Sequence, residues 1–214
     1  MDIAMMRREV KQNGDGFQGG GRLESAARQG EPMMHAGQPA PSFSLPDAEM
    51  ETFELQSVLG KLNVVLYFYP KDNTPGCILQ AIDFSDHESD FTAHEAIVIG
   101  VSPDDCLTHA DFCDKHGLSV RLLSDEEGEV CRMFGVLQER QVDGVLKQTI
   151  TRSTFVIDKQ GIIRHALYGV NPRGHSAEVL ELVKQLDSGV THASRQKHRR
   201  HSQLPGNGPG WDSD

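Results

Sequence analysis

Long hydrophobic runs are missing from this sequence of 214 residues. No window comes near the roughly 18 consecutive apolar residues that a membrane-spanning helix needs, so we expect no membrane partner. The opening stretch, MDIAMMRREVKQNGDGFQGGG, carries charges of both signs and no apolar segment of signal-peptide length. We therefore expect a cytoplasmic protein.

Basic residues are also in short supply. The chain has 21 Lys and Arg against 31 Asp and Glu, which gives a formal net charge of -10. A protein that binds nucleic acid through its phosphates presents a basic face, and this composition does not favour one. We expect no nucleic-acid partner.

Cysteines are few and widely spaced, at Cys77, Cys106, Cys113 and Cys131. They form neither a CxxC motif nor the paired spacings of a zinc site, and a chain of this length does not need a disulfide framework to fold. The ten histidines are scattered along the chain. We expect no metal and no cofactor.

The ends of the chain differ from its middle. Residues 1–36 and 188–214 are rich in Gly, Gln, Pro and charge without sustained periodicity, so they cannot bury enough apolar surface to offset their conformational entropy. We predict two disordered tails around a single domain at residues 37–187.

Within that domain, strand patterns alternate with helical ones. Apolar, β-branched runs at residues 63–69, 96–102 and near Val120 are typical of buried strands, and residues 153–158 with 162–169 predict a hairpin. Helices are predicted at residues 75–91, 103–117, 126–135 and 176–186, the second with Ser102 as N-cap and Gly117 as its end. This order predicts an α/β fold with one mixed sheet and helices on both faces.

Cys77 has a distinctive position in this pattern, which we expect to be a partly exposed turn. It closes the stretch YFYPKDNTPGC, where a buried strand has just ended and a helix begins. The free N–H groups and the dipole of a helix start favour an anion, and therefore the thiolate, which is the nucleophilic form of cysteine. A Pro-Gly turn followed by an inert buried cysteine is the alternative reading.

Three separate motifs carry a resemblance to a known family. They are GQPAPSFSLPD at residues 37–47, YPKDNTPGC at residues 69–77 and TRSTFVID at residues 151–158. Together they resemble the peroxiredoxins, most closely the peroxiredoxin Q or bacterioferritin comigratory protein group. The resemblance spans about residues 37–186 and implies a thioredoxin-like fold.

The family pattern implies a role for each matching residue. Cys77 would be the peroxidatic cysteine, which attacks peroxide and becomes a sulfenic acid. Thr74 would hydrogen-bond the thiolate and the peroxide, Pro70 would pack over the thiolate and limit water, and Arg152 would stabilise the anion and the charge on the leaving oxygen. Without the family motif, a turn or capping hydroxyl is the better interpretation of Thr74, and a surface charge that of Arg152.

The second cysteine of the reaction is where the chain departs from many relatives. The position five residues after Cys77 is Ile82 instead of a resolving cysteine, and Ile78 replaces the usual Thr. Other members carry the resolving cysteine in the next helix, which by resemblance implies Cys113. Helix geometry alone favours Cys106, since it lies nearer the helix start, and we expect Cys131 to be a core residue.

The resemblance implies a thiol peroxidase that reduces hydrogen peroxide and organic hydroperoxides in antioxidant defence. Thioredoxin or a similar dithiol would recycle it, and it would be a monomer or weak homodimer. A disulfide oxidoreductase of the same fold is disfavoured because Gln80 stands where CxxC requires a cysteine. A non-enzymatic redox-responsive binding protein is the remaining alternative.

Overall fold

The structure is a computed structural model, and it describes residues 33–142 and 145–187. The predicted tails lie outside the described residues except for residues 33–36. Met34 N donates a hydrogen bond to Tyr168 Oη at 2.7 Å, so a residue of the predicted N-terminal tail contacts the domain.

Nine strands and six helices follow one another in the described chain. In order they are β1 (Ser44–Pro46), β2 (Thr52–Glu54), α1 (Leu55–Val58), β3 (Asn63–Phe68), α2 (Pro75–Asp86), α3 (Glu88–Ala93), β4 (Ala96–Ser102), α4 (Cys106–His116), β5 (Arg121–Ser124), α5 (Glu129–Met133), β6 (Leu137–Val142), β7 (Val145–Ile150), β8 (Ser153–Ile157), β9 (Ile163–Tyr168) and α6 (His175–Asp187).

The central sheet has five strands in the order β5-β4-β3-β8-β9. β3 pairs in parallel with β4, and β4 with β5, whereas β8 runs antiparallel to both β3 and β9. The sheet is mixed, as predicted. Its middle strand, β3, is buried along its whole length, which explains why its sequence is apolar without alternation.

Two hydrophobic cores lie on the two faces of this sheet. Alternate residues of β3 divide between them: Leu66 and Phe68 belong to the core formed with α1 and α5, and Val65 and Tyr67 to the core formed with α2, α3, α4 and α6. Helices therefore cover both faces, as predicted. Cys131 of α5 is fully buried in the first core, which confirms its prediction as a core residue.

Several helix and strand predictions need correction. The segment 75–91 is two helices, α2 and α3, separated at His87. α4 begins at Cys106 instead of residue 103, because the Asp105 carboxylate caps it by accepting the hydrogen bond of Thr108 N at 2.8 Å. The short elements α1, β1, β2, β6 and β7 were not predicted. In the described part of the chain, no helix is long and apolar enough to cross a bilayer.

Candidate active site

Cys77 lies in the first turn of α2, at the end of a loop that leaves the buried strand β3. We call residues 70–77 the Cys77 loop. Pro75 is the first helical residue, where its fixed φ suits the helix and its missing N–H costs no bond. The Thr74 carbonyl accepts hydrogen bonds from Cys77 N at 3.0 Å and Ile78 N at 2.9 Å, which starts the helix.

The Cys77 side chain is buried, with 2% of its surface exposed, and the prediction of a partly exposed turn was wrong. The reason is the packing of α2 on the sheet, which places Cys77 in one core cluster with Tyr67, Ala81 and Phe84. The Cys77 sulfur is therefore almost completely shielded from solvent.

Arg152 contacts the sulfur directly. Its Nη2 donates a hydrogen bond to Cys77 Sγ at 3.2 Å. The sheet register explains the contact, because Ser153 pairs with Phe68 and so places Arg152 beside the start of the Cys77 loop. A guanidinium on the sulfur stabilises negative charge there and presents further N–H donors to an oxygen bound beside it.

Gln80 holds the other side of the same guanidinium. Its Oε1 accepts from Arg152 Nη1 at 2.5 Å, and its side chain is fully buried. Gln80 was not among the predicted site residues. The available signal was its position three residues after Cys77, which puts both side chains on one face of a helix.

Gly76 makes room for Arg152. A Cβ at this position would lie 3.3 Å from Arg152 Nη2 and 3.5 Å from Pro172 Cγ. The absence of a side chain therefore lets the guanidinium approach the first turn of α2 closely.

Thr74 and Pro70 lie in the same loop as Cys77, and both are half-buried. The Thr74 hydroxyl donates to Lys71 O at 3.1 Å and makes no capping bond to the helix. Its predicted hydrogen bond to a thiolate or peroxide stays a prediction, as does the packing of Pro70 over the sulfur.

All four cysteines are free thiols. Cys113 is half-buried and packs against the same core cluster as Cys77. Burial, followed by the negative charges of Asp72 and Asp114, raises the pKa of Cys113 to about 11. Cys106 is half-buried at the first position of α4. Burial and Asp125 raise the pKa of Cys131 far above the usual range of a thiol.

Across residues 33–142 and 145–187, no group of three or more His, Cys, Asp or Glu side chains is placed to hold a metal ion.

The chain is similar to known proteins over its described domain. The model of the AhpC/TSA family matches residues 36–166. Peroxiredoxin Bcp of Bacillus subtilis (strain 168) is 41% identical over 150 residues, which is 70% of this chain and 95% of that protein. Peroxiredoxin Bcp of Escherichia coli (strain K12) is 37% identical over 152 residues, 71% of this chain and 97% of that protein.

Solved structures agree with these sequence matches. Peroxiredoxin Q of Xanthomonas campestris superimposes with a TM-score of 0.64 at 34% identity, covering 66% of this chain and 89% of that one. The bacterioferritin comigratory protein of the same organism, studied for its alkyl peroxide reduction activity, gives a TM-score of 0.64 at 32% identity and covers 66% and 90%. The chain therefore belongs to the AhpC/TSA family and is a peroxiredoxin of the Bcp and peroxiredoxin Q type, a thiol peroxidase with a thioredoxin-like fold.

Proposed function

We propose that the protein reduces hydrogen peroxide and organic hydroperoxides with Cys77 as the peroxidatic cysteine. The observation that carries this proposal is the hydrogen bond from Arg152 Nη2 to Cys77 Sγ at 3.2 Å, at the first turn of a helix. A cysteine in contact with a fixed guanidinium is suited to react as a thiolate.

In the first step the Cys77 thiolate attacks one peroxide oxygen. The S–O bond forms as the O–O bond breaks, and the second oxygen leaves as hydroxide or alkoxide and takes a proton from solvent. Arg152 stabilises the charge that moves from the sulfur to the leaving oxygen. Gln80 keeps the guanidinium in place through its contact with Nη1.

Pro70 and Thr74 complete the proposed site. Pro70 limits access of water to the sulfur, and the Thr74 hydroxyl binds the peroxide. The Thr74 hydroxyl donates to Lys71 O in the structure, yet its oxygen retains acceptor capacity for the O–H of a peroxide.

The second step forms a disulfide between Cys77 and Cys113. The Cys113 sulfur attacks the sulfenic sulfur, the S–S bond forms, and the hydroxyl leaves as water once protonated. Two solved variants of the Xanthomonas peroxiredoxin Q each lack one cysteine, and their replaced positions are 36 residues apart. Cys77 and Cys113 are separated by the same interval, which favours Cys113 over Cys106.

A small dithiol protein such as thioredoxin then supplies two electrons by thiol–disulfide exchange and restores both thiols. We include organic hydroperoxides among the proposed substrates because the Xanthomonas relative is studied for alkyl peroxide reduction. The protein would act in a reducing compartment such as the cytoplasm, as a monomer or weak homodimer in antioxidant defence.

Turnover coupled to thioredoxin, thioredoxin reductase and NADPH tests the proposal, with hydrogen peroxide and cumene hydroperoxide as separate substrates. Wild type should reduce both peroxides, and Cys77→Ser should reduce neither. Cys131→Ser should reduce both at the wild-type rate. A single stoichiometric oxidation without turnover, with any dithiol supplied, would instead support a redox-responsive binding protein.

A further inference from the structure

Three polar contacts join the Cys77 loop to α4. The Asp72 N–H donates to Asp104 Oδ2 at 2.7 Å just before the helix, Asp72 Oδ2 lies 2.7 Å from His109 Nδ1 within it, and Lys115 Nζ donates to Asn73 Oδ1 at 3.2 Å near its end. The loop that carries one cysteine thus lies along the helix that carries Cys113.

The middle contact is a buried pair. Asp72 is 3% exposed and His109 is fully buried. His109 Nε2 lies 3.2 Å from Leu123 O, so both ring nitrogens face oxygen acceptors. His109 thus links the Asp72 carboxyl group to the backbone of β5 through two buried polar contacts.

Such a pair is not an obvious source of stability. Removing two strongly polar groups from water is costly, and apolar residues of similar size often stabilise a fold equally well or better. What the pair supplies is a directional connection between two particular segments. Breaking it leaves a buried group unpaired, so the two segments separate only at a considerable free-energy cost.

The connected segments carry the two cysteines of the proposed reaction. A disulfide requires Cα atoms within about 7 Å. Cys77 is buried under Arg152 at the start of α2, and Cys113 lies one helical turn after His109 in α4. Both cysteines are thus held within packed helices, and we infer that part of α4 leaves the Cys77 loop when the two sulfurs join.

We propose that Asp72 and His109 are positioning residues that hold α4 against the Cys77 loop while peroxide reacts, and that their separation sets the rate at which Cys113 reaches the sulfenic acid. This inference rests on the proposed role of Cys113. It predicts that weakening the pair speeds disulfide formation and shortens the lifetime of the sulfenic acid. It also predicts slower reaction with peroxide, because the loop loses its support.

The test separates the two steps in the full chain by rapid mixing with hydrogen peroxide, acid quenching and mass spectrometry of the Cys77 peptide. Variants are Asp72→Asn, His109→Gln and the double variant, which replaces both ionisable side chains by amides. Disulfide formation should accelerate about tenfold in each, which corresponds to the loss of about one buried hydrogen bond, and sulfenic acid formation should slow by about two- to tenfold.

Asp105→Ala is the matched control. It removes the N-cap of α4 without touching the Cys77 loop, so disulfide formation should accelerate while sulfenic acid formation keeps its wild-type rate. Disulfide formation within about twofold of wild type in the folded pair variants would overturn the inference. If those variants do not fold, the exposed contact between Lys115 and Asn73 provides the test. Lys115→Gln should accelerate disulfide formation about twofold, and an unchanged rate would overturn the inference.

The same experiment includes Cys113→Ser. If that variant still forms an intramolecular disulfide at the wild-type rate, the proposed role of Cys113 fails. If it accumulates sulfenic acid while the Asp72 and His109 variants behave as wild type, the proposed function stands and only the present inference fails.

Discussion

Arg152 Nη2 lies 3.2 Å from Cys77 Sγ, although the two residues are 75 positions apart in the chain. The antiparallel pairing of β8 with β3 brings them together, and Gln80 fixes the guanidinium from the far side. The site is thus built from the centre of the sheet and the first turns of one helix, and its geometry depends on a few close contacts.

Arg152→Ala should slow sulfenic acid formation by about 10- to 1000-fold, as expected when a charge-stabilising donor is lost. Reduction of the disulfide by thioredoxin should keep its wild-type rate. Arg152→Lys keeps the charge but cannot contact the sulfur and Gln80 at once. Its rate of sulfenic acid formation should therefore lie between those of wild type and Arg152→Ala. Stopped-flow rates of peroxide consumption that are equal for wild type and Arg152→Ala would remove Arg152 from the reaction.

Gly76→Ala should slow the peroxide reaction by roughly three- to tenfold, because a Cβ at 3.3 Å pushes Arg152 Nη2 away from its position. The same substitution made in Arg152→Ala should have no further effect on the rate, since no guanidinium is left to displace. Comparing the four proteins by stopped flow checks this. If Gly76→Ala slowed the reaction equally in wild type and in Arg152→Ala, its effect would not depend on the position of the guanidinium.

Gly100→Ala should lower the free energy of unfolding by about 1 to 3 kcal/mol, the usual cost of overpacking a core. A Cβ there would lie 2.6 Å from Tyr67 Cζ and 2.8 Å from Leu122 Cδ2. The Tyr67 ring cannot retreat easily, because it stacks against Phe84 and Tyr69. Urea unfolding measures the change. A midpoint equal to that of wild type would contradict the close packing described around Gly100 in β4.

Alkylation of Cys113 should depend on pH differently in the folded and unfolded protein. Burial, with help from Asp72 and Asp114, raises its pKa to about 11 in the fold, against about 8.5 for a free thiol. The folded state therefore holds the proton more tightly, and this contribution to stability is full below about pH 8.5 and lost as the pH rises through the folded value.

Iodoacetamide rates at Cys113, followed by mass spectrometry, check this expectation. In the reduced folded protein the rate should still be rising between about pH 9 and 10, whereas in urea it should level off above about pH 9. The same midpoint in both states would mean that Cys113 is not shielded in the fold.

The sequence was most informative where local patterns and motifs determine structure. The buried runs of β3 and β4 and the turn before Cys77 predicted the sheet centre and the start of α2. The start of α4 was misplaced because Ser102 and Asp105 are both good caps, and tertiary contacts decided between them. Ser102 Oγ instead donates to Asp104 Oδ2 at 2.9 Å, while Asp105 caps the helix.

Contacts between distant segments could not be predicted from periodicity. The burial of Cys77 depends on how α2 packs on the sheet, and the anchoring of Arg152 by Gln80 depends on strand register. The Asp72–His109 pair joins a loop to a helix 37 residues away, and neither residue has a local pattern that distinguishes it.

Trapping the sulfenic acid with dimedone after one equivalent of hydrogen peroxide is the most direct test of Cys77 as the peroxidatic cysteine. Peptide mass spectrometry of Cys113→Ser should find the adduct on Cys77 and nowhere else, and Cys77→Ser should consume no peroxide on the same timescale. An adduct on Cys106 or Cys131, or peroxide consumption by Cys77→Ser at the wild-type rate, would contradict the assignment.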